Sequence, residues 1–391
     1  MTDISMLLER YVEIVNCPKN QKNKKFWENS KEDYLVERWR GRSLRRENTP
    51  FTIAMDIAGY SSILGIDCAA YYSEADVNLR DQLRYAIWEF DNLDCHRYFE
   101  NTVFGSIGSV FEATWFGADI FYLPGQAPWY DEKNPVLSSK KDLIKLKPFD
   151  FYDSGLCPKA IEFYEHHMKV CEPYGIRAMF PVAMRSPFSV AIMLRGFENL
   201  LMDMLEDPEF FEDLMDLITS YLIDYSTARA RYLGEPEPTA LLFNDEISTP
   251  ILSNNMYKEM IFPYEKKIAA RQGIRYWHSC GVTQSFYDSI AELPGLRMMH
   301  LGPWSDVPSA ADVFGKKDIA LEICLSSNRD MYEKDEEQMA GQLEEIKQAC
   351  DGNVRYSVRL DGIAVLSSQQ ECLEKVAAWN RAAKKVFLAD D

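Results

Sequence analysis

The sequence predicts an α/β protein, a single (β/α)8 TIM-type barrel over residues 51–391 with extra N-terminal helices in residues 1–50 packed on it. Three observations carry this expectation. From Ala240 onward, short β-favouring runs alternate with helical runs, and that rhythm implies parallel pairing through right-handed crossovers. The β-favouring runs near 51, 111 or 120, 176, 240, 274, 297, 318 and 354 number about eight, the count an α/β barrel requires. No G-x-G-x-x-G fingerprint follows the first run, which disfavours a doubly wound open sheet.

The elements follow in chain order. Ile4, Leu7, Leu8, Tyr11, Val12 and Val15 recur at helical spacing over 4–16, and Glu32 to Trp39 carries a shorter set. A first strand follows Pro50 and ends at Asp56. A long helical stretch covers roughly Ser73 to Phe99, and Phe111 to Phe116 and Ile120 to Leu123 read as short strands around Gly117. The loop 124–130 is punctuated by Pro and Gly and carries Trp129 and Tyr130, a composition that suits a binding loop. Residues 158–171 read as a helix and Ile176 to Ala183 as a strand. Helices then begin at Ser186-Pro187 and again at Asp207-Pro208, where Asp caps and Pro fits the first turn. The remaining strands are 241–243, 274–277, 297–301, 318–323 and 354–358, separated by helices at 253–271, 282–292, 306–314 and 331–350 and followed by one at 367–388.

Composition narrows the function classes. A net charge of -18 repels a phosphate backbone and an anionic membrane surface, so neither nucleic acid nor membrane is an expected partner. The basic cluster Arg38, Arg40, Arg42, Arg45 and Arg46 is the exception and reads as a solvated helix end. Nine cysteines without framework spacing, no charged-then-apolar leader and no apolar run approaching 18 residues lead to the expectation of a cytoplasmic protein.

In an α/β barrel the chemistry sits at the C-terminal ends of the strands. The residues at those ends are Asp56, Arg185, Asp245, Glu246, His278, Cys280, His300, Glu322, Cys324, Arg359 and Asp361. His278 and Cys280 are two apart at a strand end and therefore point the same way. Nitrogen and thiolate ligands of that kind make half of a zinc site, and catalytic zinc takes three protein ligands with one open position. Glu246, Glu322, Cys324 and Asp361 are the contenders for the third, each with an ordinary reading beside it: Cys324 as a packed thiol, Glu246 bonded to loop backbone, Asp361 before Gly362 as a turn. Neither a G-x-S-x-G elbow nor a Walker A sequence occurs. Lys266-Lys267 and His166-His167 lie mid-helix and read as structural.

Several segments resemble one family. Arg185 to Gly196, Glu198 to Asp203, Glu206 to Pro208, Asp245 with Ser253, Phe262-Pro263, Trp277-His-Ser-Cys-Gly281 and Leu360-Asp-Gly-Ile-Ala364 look like the uroporphyrinogen decarboxylase superfamily, and within it the corrinoid-dependent (methylcobamide) methyltransferase branch. The resemblance implies zinc-dependent transfer of a methyl group between a small substrate and the cobalt of a separate corrinoid protein. It places His278 and Cys280 on the branch's His-x-Cys zinc pair, and Asp361 where the branch commonly has a third, cysteine ligand. A carboxylate donates less electron density than a thiolate and leaves zinc more Lewis-acidic, which favours O-demethylation of a methoxylated aromatic. The expected site is then His278, Cys280, Asp361 and Cys324 for the metal, Asp245 and Glu246 as catalytic residues, and Trp129, Tyr130, Arg185, His300 and Trp304 around the substrate. A methylcobamide:thiol methyltransferase, a metal-free decarboxylase and a non-catalytic binder of a tetrapyrrole or corrinoid protein are the alternatives, and a homodimer is left open.

Overall fold

The computed structural model describes residues 3–27, 49–181, 183–235 and 240–388. The expected helix at 32–39 and the basic cluster at 38–46 lie outside the described residues.

Helix Ile4–Asn16 forms as its spacing predicts, with the Asp3 carboxylate accepting from the Ser5 N–H at its start. It lays Leu7, Leu8, Tyr11, Ile14 and Val15 on Leu79, Leu83 and Ala86 of helix Ala75–Asn92, a core separate from the main one. Helix Pro18–Phe26 follows, and the Asn20 and Asn23 amides donate to the carbonyls of Phe99, Cys95 and Arg97, tying the N-terminal unit to the chain that enters the second strand.

Eleven strands are described. Seven pair in one parallel sheet, in the order β1 (Phe51–Met55), β11 (Tyr356–Ile363), β10 (Ala320–Ser326), β9 (Met298–Leu301), β8 (Ile274–His278), β7 (Ala240–Phe243), β6 (Ala183–Arg185). β2 (Thr102–Phe104) pairs in parallel with β5 (Arg177–Met179), and β5 leads directly along the chain towards β6. The ring therefore runs from β1 round to β2 by way of the β5–β6 segment. Among the described residues no ladder joins β2 to β1, so the architecture is barrel-like with one seam unpaired. Helices flank the sheet, from Pro187–Arg195 and Pro208–Leu233 through Phe262–Gln272, Val307–Gly315 and Glu336–Cys350 to Gln369–Phe387.

Four sequence expectations are corrected. Phe111 to Phe116 is not a strand: Phe111–Thr114 is helical, and an apolar run this short carries no periodicity that separates the two states. The second barrel strand is Thr102–Phe104, three residues long. Ile120–Phe121 (β3) pairs antiparallel with Trp129–Tyr130 (β4) in a small ribbon outside the main sheet. The last strand runs on to Ile363, so Asp361 lies inside β11 opposite Ser326 rather than in the turn beyond it.

Strand register stacks the barrel interior in layers. Leu241, Tyr276, Met298 and Ala320 lie beside one another on four consecutive strands and form an apolar floor with Phe243. Side chains alternate along a strand, so residues two further on face the same interior. One step up, Phe243 pairs with His278 and His300 with Glu322. The mouth is thus a polar layer on an apolar one, and the opposite faces of the same strands (Leu242, Trp277, Met299, Leu321, Ile323) pack into the main core.

Candidate active site

Arg185 ends β6, and its position is set from below and from the side. Its backbone N–H donates to the Glu112 carboxylate (2.9 Å) and its Nε to the Ser109 carbonyl (3.0 Å). Its Nη1 donates to Asp245 Oδ2 at 2.7 Å and lies 3.6 Å from Glu246. Asp245 and Glu246 occupy the turn after β7, and the Ser189 hydroxyl donates to Glu246. Asp245 Oδ1 is 3.1 Å from His278 Nε2 and accepts from the Cys280 backbone N–H at 3.3 Å. One carboxylate therefore joins the ends of three strands, β6, β7 and β8.

Burial alone would push the Asp245 carboxyl up, but the hydrogen bond and charge of His278, the Arg185 guanidinium and the contact with Cys280 hold it well below the usual carboxylate range. It is a carboxylate at neutral pH. Glu246 goes the other way: burial raises it, and Arg185 and Ser189 only partly offset that. Glu112, enclosed in protein, is pushed up to about 7 by burial against the opposing pull of backbone hydrogen bonds and Arg185. The wall thus holds a fixed anion beside an acid that is part-protonated near neutral pH, the separation of carboxyl environments that acid–base chemistry uses.

The His278 and His300 rings lie 3.8 Å apart at 34°. His300 Nδ1 is 2.9 Å from the Ser279 carbonyl, which only accepts, so Nδ1 carries the proton and Nε2 is left with a bare lone pair. Burial, reinforced by His278 and Arg359, pushes this imidazole well below its ordinary range, so the ring is neutral. Asp245 likewise only accepts, which places a proton on His278 Nε2. Both remaining ring nitrogens, His278 Nδ1 and His300 Nε2, are buried with no hydrogen-bond partner among the described residues. Each such group costs roughly 1–3 kcal/mol of desolvation, an expense native interiors rarely carry without a reason.

Cys280 Sγ lies 3.4 Å from His278 Nε2. Donor atoms of His278, Cys280 and His300 all fall within 4.8 Å of one another, and those of His300, Glu322 and Cys324 form a second group by the same measure. The residues therefore fit a small thiophilic cation. Cys280 reaches the surface, while Cys324 is buried. Enclosure of the thiol and the nearby Asp245 and Asp361 carboxylates push Cys280 up to about 12, so a cation would have to displace its proton. Gly302 closes against this loop: a Cβ there would stand 2.8 Å from the Cys280 carbonyl oxygen and 2.9 Å from its Cα, an approach only glycine allows.

The other expected metal donors are engaged differently. Asp361 accepts from Arg359 Nη2 at 3.0 Å, and Glu322 accepts from Arg359 Nη1 at 2.9 Å and from the Tyr276 hydroxyl at 2.6 Å. Asp56 caps helix Ile57–Leu64 through the Gly59 N–H.

A cavity of about 680 Å³ opens on this wall. Arg185, Asp245, His278 and Phe243 line one side, and Tyr71, Tyr72, Tyr85 and Gln82 are among the residues that complete it. Trp129 and Trp304, the expected pocket walls, stand elsewhere: Trp129 donates to Glu132, and Trp304 is 58% exposed with the Arg329 guanidinium 4.5 Å over its ring. Tyr130 is near enough for Glu246 to help raise its hydroxyl, pushed up to about 12 chiefly by burial. The tyrosines and Glu112 come from segments before the regular strand rhythm, where the only sequence signal was the adjacent pair Tyr71-Tyr72.

Behind the site, Trp277 points away from the cavity and donates to Glu265, which also accepts from Tyr257. Burial raises Glu265 from 4.5 to about 7. The folded protein then binds more protons than the unfolded chain between those values, so this contribution to stability is complete below about 4.5 and is lost as pH rises through about 7. Its size is on the order of 3 kcal/mol. Glu265→Gln is expected to reduce the fall in urea midpoint between pH 5 and pH 8.5; an unchanged fall would show that Glu265 ionises normally in the fold.

A family model described as "Uroporphyrinogen decarboxylase (URO-D)" matches residues 96–358. No curated protein gives a significant match. Among solved structures, a "methyltransferase from Methanosarcina mazei" is similar over 86% of this chain and 94% of that one, with a TM-score of 0.60 and 14% identity. At that identity the likeness concerns the fold. Among the described residues no helix is long and apolar enough to cross a membrane.

Proposed function

Because the chain belongs to the uroporphyrinogen decarboxylase family, we propose that it is an enzyme of decarboxylase-like chemistry, acting by proton transfer on a small carboxylated substrate in the 680 Å³ cavity. The carrying observation is one wall on which Arg185, the Asp245–His278 pair and a Glu112 carboxyl poised near 7 meet. Proton addition to an electron-rich carbon weakens its bond to the carboxylate. That bond then breaks, its electron pair returns to the protonated framework, and CO₂ leaves with a net uptake of one proton. Glu112 is the proton donor in this reading, and His278, whose Nδ1 is a bare lone pair, is a proton acceptor that Asp245 holds in place. The substrate is not a polyanion: Arg185 and Arg359 are each already met by two carboxylates, and the chain carries a net charge of -18. Tyr71, Tyr72, Tyr85 and Phe243 favour a flat apolar body bearing one carboxylate.

The test is CO₂ release from a panel of ¹³C-labelled aryl and pyrrole carboxylates, by the wild type and by Glu112→Gln. Release by the wild type, diminished in the variant with its pH profile altered, supports the reading. A wild type inert to the whole panel would count against it.

A second reading keeps the zinc-dependent methyltransferase with its corrinoid protein partner, and one observation favours it: the His278, Cys280 and His300 donors within 4.8 Å. Bound zinc would supply Lewis acidity, polarising a methyl ether oxygen or holding a thiol as thiolate. The aromatic walls suit a methoxylated aromatic as well as an aryl carboxylate. The family match supports the first reading more directly, because the methyltransferase likeness is one of fold. Stoichiometric zinc in the purified protein, with methyl transfer to a corrinoid protein, would reverse that order.

A further inference from the structure

Two imidazole nitrogens buried without partners, on rings 3.8 Å apart and beside the Cys280 thiol, form an unusual arrangement in a folded interior. A cation on His300 Nε2 would remove one of these penalties. His278 and Cys280 supply two donors from adjacent turns of one strand end. The third has several contenders, and their existing bonds separate them.

Asp361, half-buried, is held by Arg359, whose other guanidinium nitrogen is held by Glu322, and Arg359 and Glu322 are themselves buried. Drawing Asp361 onto a metal would strip a buried guanidinium of one of its carboxylates. Cys324 lies wholly inside the barrel with His300 and Glu322, next to the same guanidinium in strand register, and a cation there would meet that positive charge. Glu322 already accepts from Arg359 and Tyr276. His300 alone needs nothing broken. Its Nδ1 proton is committed to the Ser279 carbonyl, inside the same loop that carries Cys280, and this bond both orients the ring and leaves Nε2 as a lone pair. Donation of one ring N–H to a fixed oxygen is how metal-binding histidines are set in orientation and tautomer. At His278 the nitrogen beside Cys280 is Nε2, so a cation there would take the place of the proton now shared with Asp245.

We infer that His300, and not Asp361, is the third protein donor beside His278 and Cys280 for a thiophilic divalent cation at the barrel mouth. This rests on the second functional reading, that the site takes a metal. The His/Cys/His set carries one negative charge against two positive, and Asp245 stands beside it as an uncoordinated carboxylate.

The experiment measures metal binding by the full-length protein without reference to turnover. Zn(II) affinity is read by competition with a chromogenic chelator, and Co(II) is added to follow the thiolate-to-cobalt absorption band. The wild type is expected to bind one equivalent with that band. His300→Ala should weaken binding by more than about 100-fold, beyond the loss typical of an outer-sphere change. His300→Cys should restore much of it, which separates a donor's role from a failure to fold, and circular dichroism melts check folding throughout. Asp361→Ala should stay within about threefold of the wild type, since no donor is removed. If Asp361→Ala abolishes binding and His300→Ala does not, the inference is overturned. Loss in Cys324→Ala with retention in Cys280→Ala would move the metal to the inner group and overturn it as well. A wild type that binds no metal would remove the metal reading itself, a result distinct from any pattern among the variants.

Discussion

His278→Ala is expected to lower turnover by about 10²–10⁴-fold, the range a positioned acid–base group contributes. His278 is the point where the wall's elements converge: it is bonded to Asp245, in contact with Cys280, stacked on His300 and exposed to the cavity. In the decarboxylase-like reading it moves the proton, and in the metal reading it holds the cation, so the loss falls on the chemical step under both. Steady-state kinetics should show the change mainly in kcat, because the cavity walls that hold the substrate body are untouched. A variant with kcat within threefold of the wild type would remove His278 from the machinery. Should KM rise alone, the ring would be a binding group only.

The second large effect is on stability. Glu322→Ala removes an acceptor from Arg359 and from the Tyr276 hydroxyl inside the barrel. Breaking a buried pair by deleting one partner costs roughly 3–5 kcal/mol because the remaining charge stays desolvated. Asp361 still holds the other side of Arg359, so the lower end, about 3 kcal/mol, is expected. Glu322→Gln keeps an acceptor and should cost less, about 1–2 kcal/mol. Urea unfolding followed by circular dichroism reads both as a shift of midpoint at constant slope. If Glu322→Ala unfolds within 1 kcal/mol of the wild type, the pair contributes no net stability and Arg359 finds other partners.

Much of the site was legible because strand ends announce themselves. Arg185, Asp245, Glu246, His278, Cys280 and His300 each close or follow a β-favouring run, and the structure brings Arg185, Asp245, Glu246, His278 and Cys280 into one connected group. His300, expected around the substrate, is stacked on His278. Asp361 was expected as a metal ligand, with a turn before Gly362 as its ordinary alternative, yet pairing with β10 reaches Asp361 and pairing with β1 carries the strand on to Ile363. Glu112, Tyr71, Tyr72 and Tyr85 were not legible as site residues. They come from helices before the regular rhythm, and nothing local says that those helices border the cavity.

The barrel-like class and the chemistry of its mouth follow from the chain's own pattern, because side-chain alternation and strand–helix rhythm are local properties that any window of sequence displays. The identity of the second strand, the unpaired seam beside β1, the commitment of Asp361 to Arg359 and the bare nitrogens of two histidines are of another kind. Each depends on which residues far apart in the chain become neighbours, and therefore on register and crossover length. A few ångströms of register decide whether an acid meets a guanidinium, an imidazole or an open cavity, and no periodicity in the sequence encodes that choice.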